Sequence, residues 1–305
     1  MNETRFLPQP SRTRSLGSSG KAVSTLAWGM WRFRGDDVKA ARGLVDAALS
    51  SGITLFDTAD IYGPDNGEGF GASEVLLGRV LAEDKSLRNQ MVLASKGGII
   101  IGVPYDLSAS YIEKAIDASL SRLGVDHLDL WQIHRPDILT HPQEMARALE
   151  DAVKSGKIGA VGVSNFTCAQ INALQSKLSI PISTMQPEFS ALQLGPIESG
   201  ELDLAMQNDI AVLGWSPLGQ GRIAQPTTKR ELEVAAALDA IAHLQGVSRT
   251  AAAYSWIMAH PAGIIPIVGS QQADRIRDAT DAYKVQWTRA DWYKILVASR
   301  QEPLP

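Results

Sequence analysis

The chain has 305 residues, enough to bury one large core or two smaller ones. Its 29 basic and 33 acidic residues nearly balance, so no basic footprint invites nucleic acid or an anionic membrane, and small molecules are the expected partners. A single cysteine, Cys168, excludes an internal disulfide and suits a reducing, cytoplasmic setting.

Residues 1–20 hold several Arg and Ser and one acidic residue, a composition like that of a transit peptide, but Pro8 and Pro10 interrupt any amphipathic helix. Residues 1–10 read as a loose tail and residues 11–305 as one domain. Beyond the tail, short β-rich apolar runs alternate with segments of helical period to the end of the chain. The expected strands are TLAWGM, ITLFDTA, MVLASKGG, HLDLWQIH, IGAVGVSN, ISTMQPEF, AVLGWSP and GIIPIVGS. Between them the helical segments are VKAARGLVDAALS, SEVLLGRVLAED, SASYIEKAIDASLSRLG, PQEMARALEDAVKSG and CAQINALQSKL, and Gly52, Gly124 and Gly156 stand where helix C-caps belong. Two helical stretches, ELEVAAALDAIAHLQ and RTAAAYSWIMAH, follow the seventh strand, so one is extra to a plain eightfold repeat, and ADWYKILVASR closes the chain. No linker or composition shift divides the sequence. The expectation is an α/β chain folded as a single (β/α)8 TIM barrel, with an extra helix after the seventh strand and a C-terminal helix. The best apolar run, GGIIIGV, is far too short to span a bilayer.

In such a barrel the working residues sit at the C-terminal ends of the strands. Asp57 ends the second strand, Lys96 the third, His134 the fourth and Asn165 the fifth; Gln186 lies on the sixth, and Trp215 and Ser216 end the seventh. Alternation puts Asp57 on the face of Leu55 and Ile53, Lys96 on that of Ala94 and Val92, and His134 on that of Leu130 and Leu128. If those faces point inward, an acid, an ammonium and an imidazole converge on the mouth, near Tyr62. A phenol of pKa about 10 is a poor donor near neutrality. One positive charge at about 4 Å, at an effective dielectric near 20, is worth roughly 4 kcal/mol toward its ionisation. Burial would strip the proton from Lys96 itself unless the Asp57 carboxylate keeps it charged. His134 then orients a carbonyl oxygen toward Tyr62 while a hydride reaches the carbon.

The phrases FDTADIYG with GASEVLLG, ASKGG, LDLWQIHRP, GKIGAVGVSNF, MQPEFS, WSPLGQG and IVGSQQADR, in this order, make the chain resemble an aldo-keto reductase over nearly its whole length. The resemblance implies that Asp57, Tyr62, Lys96 and His134 form the catalytic tetrad of an enzyme reducing aldehydes or ketones, with Tyr62 as proton donor. It implies a nicotinamide cofactor, NADP(H) preferred and NAD(H) possible, without a Rossmann domain. Ser164, Asn165 and Gln186 match its carboxamide contacts, and Trp215 the ring that stacks on it. Ser216, Leu218, Gly219 and Gly221 match the loop over the pyrophosphate, Ser270 and Arg275 the contacts to the 2′-phosphate; Gly29, Met30 and Asp57 complete the cofactor set. Gly269 and Ala279 depart from the family, standing where a lysine and an asparagine are usual. Trp28, Trp31 and Phe33 resemble the aromatic wall of the carbonyl pocket, core packing being the other reading of Trp28. The substrate pocket proper would comprise Trp31, Tyr62 and His134, and its openness suggests broad use of small carbonyl compounds. Arg135 would either attract an anionic group on the substrate or stand solvated.

Three other readings compete. GEGFGA (67–72) and GQGRIA (219–224) satisfy a loose GxGxxA pattern but stand apart from their strands. Metal-dependent hydrolysis would have to improvise ligands from His127, His134 and His141, without an HxH pair or an HExxH helix, so no metal is expected; His127, His141, His243 and His260 read as turn or surface residues. The other class is a nicotinamide-binding redox sensor with slow turnover.

Overall fold

The computed structural model describes residues 6–304. Its first element is a hairpin of β1 (Thr13–Ser15) and β2 (Ala22–Ser24), paired antiparallel. The barrel strands follow as β3 (Ala27–Gly29), β4 (Leu55–Asp57), β5 (Val92–Gly97), β6 (Leu130–Ile133), β7 (Val161–Ser164), β8 (Ile182–Gln186), β9 (Ala211–Gly214) and β10 (Ile265–Val268). They pair in parallel and in chain order, and β10 returns to β3 to close the barrel. Each overlaps one of the eight apolar runs, as expected of parallel strands covered on both faces.

The helices are α1 (Val38–Ser50), α2 (Ala72–Glu83), α3 (Ala109–Leu123), α4 (Pro142–Lys154), α5 (Cys168–Gln175), α6 (Gly195–Glu198), α7 (Glu201–Gln207), α8 (Lys229–Gln245), α9 (Arg249–Met258), α10 (Ala273–Asp278) and α11 (Arg289–Arg300). Caps written in the sequence start them: Asp37 accepts from Ala40 N–H, Ser108 from Tyr111 N–H, and Thr167 with Gln170 and Thr228 with Glu231 form capping boxes. Between β9 and β10 lie both α8 and α9, which accounts for the extra helix. The C-terminal α11 is held by stacking of Trp292 on Trp256 at 4.8 Å, each indole N–H donating to the other's main-chain oxygen.

The hairpin was not expected, and it plugs the N-terminal end of the barrel. Leu16 and Val23 are buried against Ala27, Leu55, Ala94, Leu130, Leu213, Ile265 and Ile267, the interior stack of side chains. Lys21 ties the hairpin down through a 2.7 Å bridge to Asp129. Leu16→Ala should therefore lower unfolding free energy in urea by about 2–5 kcal/mol, a loss set by the cavity it leaves. Ile53 and Leu128, expected on inward faces, instead precede their strands and join the outer layer between barrel and helices. The loose tail expected over residues 1–10 lies outside the described residues for 1–5, whereas Phe6 bridges to Thr288 and Leu7 N–H donates to the Trp287 carbonyl. Among the described residues no helix is long and apolar enough to cross a membrane.

Candidate active site

At the C-terminal end of the barrel interior the apolar stack gives way to buried polar side chains. Asp57 and Lys96 are 2% and 0% exposed, and Lys96 Nζ donates to Asp57 Oδ2 at 2.7 Å and to the Thr58 carbonyl at 2.8 Å. Both hydrogen bonds come from the ionised amine and are buried, which makes them strong. The other Asp57 oxygen accepts from two amides, Gln186 Nε2 at 3.0 Å and Gln132 Nε2 at 3.3 Å, and Gln132 is braced by the Thr184 hydroxyl. Tyr62 sits above, its ring centroid 5.0 Å from the Lys96 ammonium and 5.8 Å from the His134 ring, which meets it edge to face. These four side chains, taken from three separate stretches of sequence, thus form one cluster.

Electrostatics follow from burial and these contacts. Burial pushes toward neutral Lys96, but the Asp57 carboxylate first, and then Tyr62, together outweigh it and hold the pKa above the ordinary lysine value. Burial, then the charges of Lys96 and Arg135, hold His134 well below the ordinary histidine value, so the imidazole is neutral. For Tyr62 the expectation needs correcting. Lys96 does pull its pKa down, but burial is the larger effect, Asp57 adds to it, and the phenol ends above its ordinary value. Tyr62 is therefore a protonated phenol rather than one poised near neutrality.

Around the cluster, Asn165 binds its neighbours together: Nδ2 donates to the His134 carbonyl and Ser164 Oγ, and Oδ1 accepts from Trp215 Nε1. Its φ of 60°, rare for a non-glycine residue, belongs to this tight junction. Gln186 offers its main-chain oxygen to Ser164 Oγ and Asn165 N–H, while its side-chain nitrogen is held by Asp57. Past Trp215 the chain takes left-handed φ at Ser216 (49°), Gly219 (57°), Gln220 (59°) and Gly221 (93°). Left-handed residues of this kind occur in main-chain anion cradles. Leu218 within this stretch is half-buried, and a Cβ on Gly221 would meet open space. Ser270 Oγ accepts from Gln272 N–H, Arg275 stands exposed on α10, and Gln271 Oε1 is buried with no hydrogen-bond partner among the described residues, a further place for a donor on a bound group.

Core packing, one of the two readings of Trp28, holds for Trp28 and Phe33. Trp28 and Phe33 are buried and pack edge to face in the outer layer with Phe56, so neither lines a pocket. Met30 is wholly buried, its N–H donating to the Asp57 carbonyl. Gly29 is fixed by packing, since a Cβ there would lie 2.6 Å from Ile267 Cγ2. Trp31 is 43% exposed, its Nε1 donating to Asp65 at 3.3 Å. Arg135 lies over the Trp215 ring at 5.8 Å. Among the other histidines, His127 meets the Gly156 carbonyl, His141 caps α4 and His260 accepts from Ala262 N–H. Among the described residues no group of three or more His, Cys, Asp or Glu is placed to hold a metal ion. Gln132 and Thr184 were missed, although both share the inward parity of His134 and Gln186 on their strands and are polar there.

Residues 25–298 match the Aldo/keto reductase family, and the chain belongs to it. It is an oxidoreductase of a family that works with nicotinamide cofactors. The chain is 59% identical to a 6-dehydroglucose reductase of Novosphingobium aromaticivorans, covering 98% of this chain and 99% of that one. It is 37% identical to a 6-dehydroglucose reductase of Agrobacterium fabrum, over 90% and 93%. Among solved structures, the thermostable aldo-keto reductase Tm1743, in complex with the inhibitor epalrestat, superposes with a TM-score of 0.82 over 94% of this chain and 99% of that one, at 22% identity. That likeness establishes the barrel fold.

Proposed function

We propose that the chain is an NADP(H)-dependent reductase of an aldehyde on a small hydrophilic molecule, with 6-dehydroglucose the first candidate. The observation that carries it is the buried cluster of Lys96, Asp57, Tyr62 and His134 at the C-terminal mouth of the barrel. The substrate is suggested by the relative that shares 59% of its residues.

The bound dinucleotide would supply the hydride to the carbonyl carbon. Tyr62 keeps its proton until the carbonyl oxygen takes on alkoxide character, and then gives it up, the adjacent ammonium stabilising the phenolate left behind. Asp57 keeps that ammonium charged and, through Gln132 and Gln186, is itself held in place. Neutral His134 donates an N–H to the same oxygen and aligns it; as an imidazolium it would repel Lys96. Ser164, Asn165 and Gln186 would hold the carboxamide and Trp215 the nicotinamide ring, with Ser216 and the Leu218–Gly221 turn around the pyrophosphate.

Arg275, with Ser270, favours NADPH through a charge-assisted contact to the 2′-phosphate. Arg275→Ala should raise the dissociation constant for NADPH by about tenfold or more and leave that for NADH within about twofold, read by nicotinamide fluorescence. The substrate test is a steady-state panel of aldehydes with NADPH. A higher kcat/KM for 6-dehydroglucose than for simple aldehydes is expected; tight NADPH binding with negligible turnover on every aldehyde would replace this reading with that of a redox sensor.

A further inference from the structure

Behind the catalytic cluster, on the helix side of β5, lies a second buried polar group that the mechanism above does not use. The turn from Thr58 to Tyr62 is stitched to β5 at two points: Thr58 N–H donates to the Ala94 carbonyl, and Asp60 N–H to the Lys96 carbonyl, both at 2.9 Å. The same turn carries the Thr58 carbonyl that accepts from Lys96 Nζ, and ends in Tyr62. Whatever fixes this turn fixes the distance between ammonium and phenol.

The Asp60 side chain is 1% exposed. One oxygen, Oδ2, accepts a long 3.4 Å hydrogen bond from the Tyr111 hydroxyl of α3; the other, Oδ1, has no partner among the described residues. Trp131 Nε1 on β6 is likewise buried and unpartnered. Carboxyl and indole lie against the same glycine, because a Cβ on Gly97 would be 2.9 Å from Asp60 Oδ2 and 2.8 Å from Trp131 Cζ2. The charged neighbours leave nothing for Asp60. From α2, Glu74 is fully buried and takes both the Arg122 guanidinium of α3, at 2.7 Å, and the Ser95 hydroxyl of β5. Across β5, Lys96 is committed to Asp57. The remaining titratable groups on this side, Tyr111, Tyr62 and Asp106 in the segment before α3, bring no positive charge. Two buried carboxyl groups thus share one guanidinium, which is already spent on Glu74.

We infer that Asp60 is a positioning residue for the Tyr62–Lys96 pair, that it does this in its protonated form, and that its ionisation in alkaline solution impairs the proton donor. An unpaired carboxylate in this layer would be desolvated and would lie beside the Glu74 charge. In agreement, burial, then Glu74, push the Asp60 pKa up from 3.8 to about 8 against the opposing pull of Arg122. An ionised Asp60 also raises the Tyr62 pKa further, weakening the acid. The unfolded chain loses this proton near 3.8 and the folded chain near 8, so the folded chain binds more protons between those values. Stability from this group is complete below the lower value, declines as pH rises toward about 8, and levels off above it.

The inference rests on the proposed role of Tyr62, and the experiment separates the two. Wild type and Asp60→Asn are compared in kcat at saturating NADPH and aldehyde, and in thermal midpoint, from pH 5 to 9. In wild type kcat should fall about threefold or more between pH 7 and 9, while Asp60→Asn loses less than about a third over the same interval. The midpoint of Asp60→Asn should rise relative to wild type from pH 5 to 8, and the gap should then stay constant. Tyr111→Phe, which removes the hydroxyl that donates to the Asp60 carboxylate, should shift the wild-type alkaline limb to higher pH. The inference is overturned by a midpoint gap that does not change with pH, or by the same alkaline limb in wild type and Asp60→Asn. Should Asp60→Asn not fold, an alkaline limb unmoved in Tyr111→Phe overturns it as well. A chain that reduces no aldehyde at any pH would remove the Tyr62 role and this positioning role together, while the midpoints would still decide whether Asp60 is neutral.

Discussion

Tyr62→Phe is expected to lower kcat by about 10²- to 10⁴-fold and to leave NADPH affinity within about twofold. The hydroxyl is the only part removed, and the ring keeps its place between the Lys96 ammonium and the His134 ring. The loss falls on kcat because the proton is needed only as the carbonyl oxygen becomes an alkoxide, an interaction absent from the bound ground state. Steady-state kinetics with NADPH fluorescence titration on the same preparation reads both quantities. Equal loss of cofactor affinity would instead mean that the hydroxyl supports the binding site.

Lys96→Met should have the largest combined effect, abolishing turnover and lowering unfolding free energy in urea by about 3–5 kcal/mol. Asp57 would remain, 2% exposed, with two amide donors and no cation. The double variant Asp57→Leu, Lys96→Met tests the cause. It removes the stranded carboxylate, so stability should recover by most of that amount while turnover stays absent. Stability lost equally in both variants would assign the effect to packing rather than to charge.

The barrel was legible because each strand is an apolar run broken by glycine or a polar end, and because Thr, Ser and Asp caps mark the helix starts between them. The hairpin was not, since TRS and AVS are too short to show a period and their burial depends on plugging a barrel assembled from distant segments. The short α6, α7 and α10 escaped for the same lack of length. In the site, Asp57, Lys96 and His134 could be placed from strand ends alone, and Gln132 was within reach of the same parity argument. Between the two readings of Trp28 the sequence could not choose, and Phe33 was set on the pocket wall, because the direction of both depends on where β3 ends, which the glycine and methionine after Trp28 do not reveal. The Tyr62 pKa was read with the wrong net sign because sequence supplies the neighbouring charge and not the depth of burial. Asp60 lies on a turn, off any strand, and its isolation emerges only when Glu74, Arg122 and Tyr111 are brought together by α2 and α3.

The central claim is that the buried Lys96 amine is an ammonium at working pH because of Asp57. Nitrogen-15 NMR of lysine-labelled protein reads this directly. The account predicts a Lys96 Nζ resonance that keeps its ammonium shift through pH 10 in wild type and loses it at or below neutral pH in Asp57→Asn. A neutral amine at pH 7 in the wild-type protein, or an ammonium unaffected by Asp57→Asn, would contradict it.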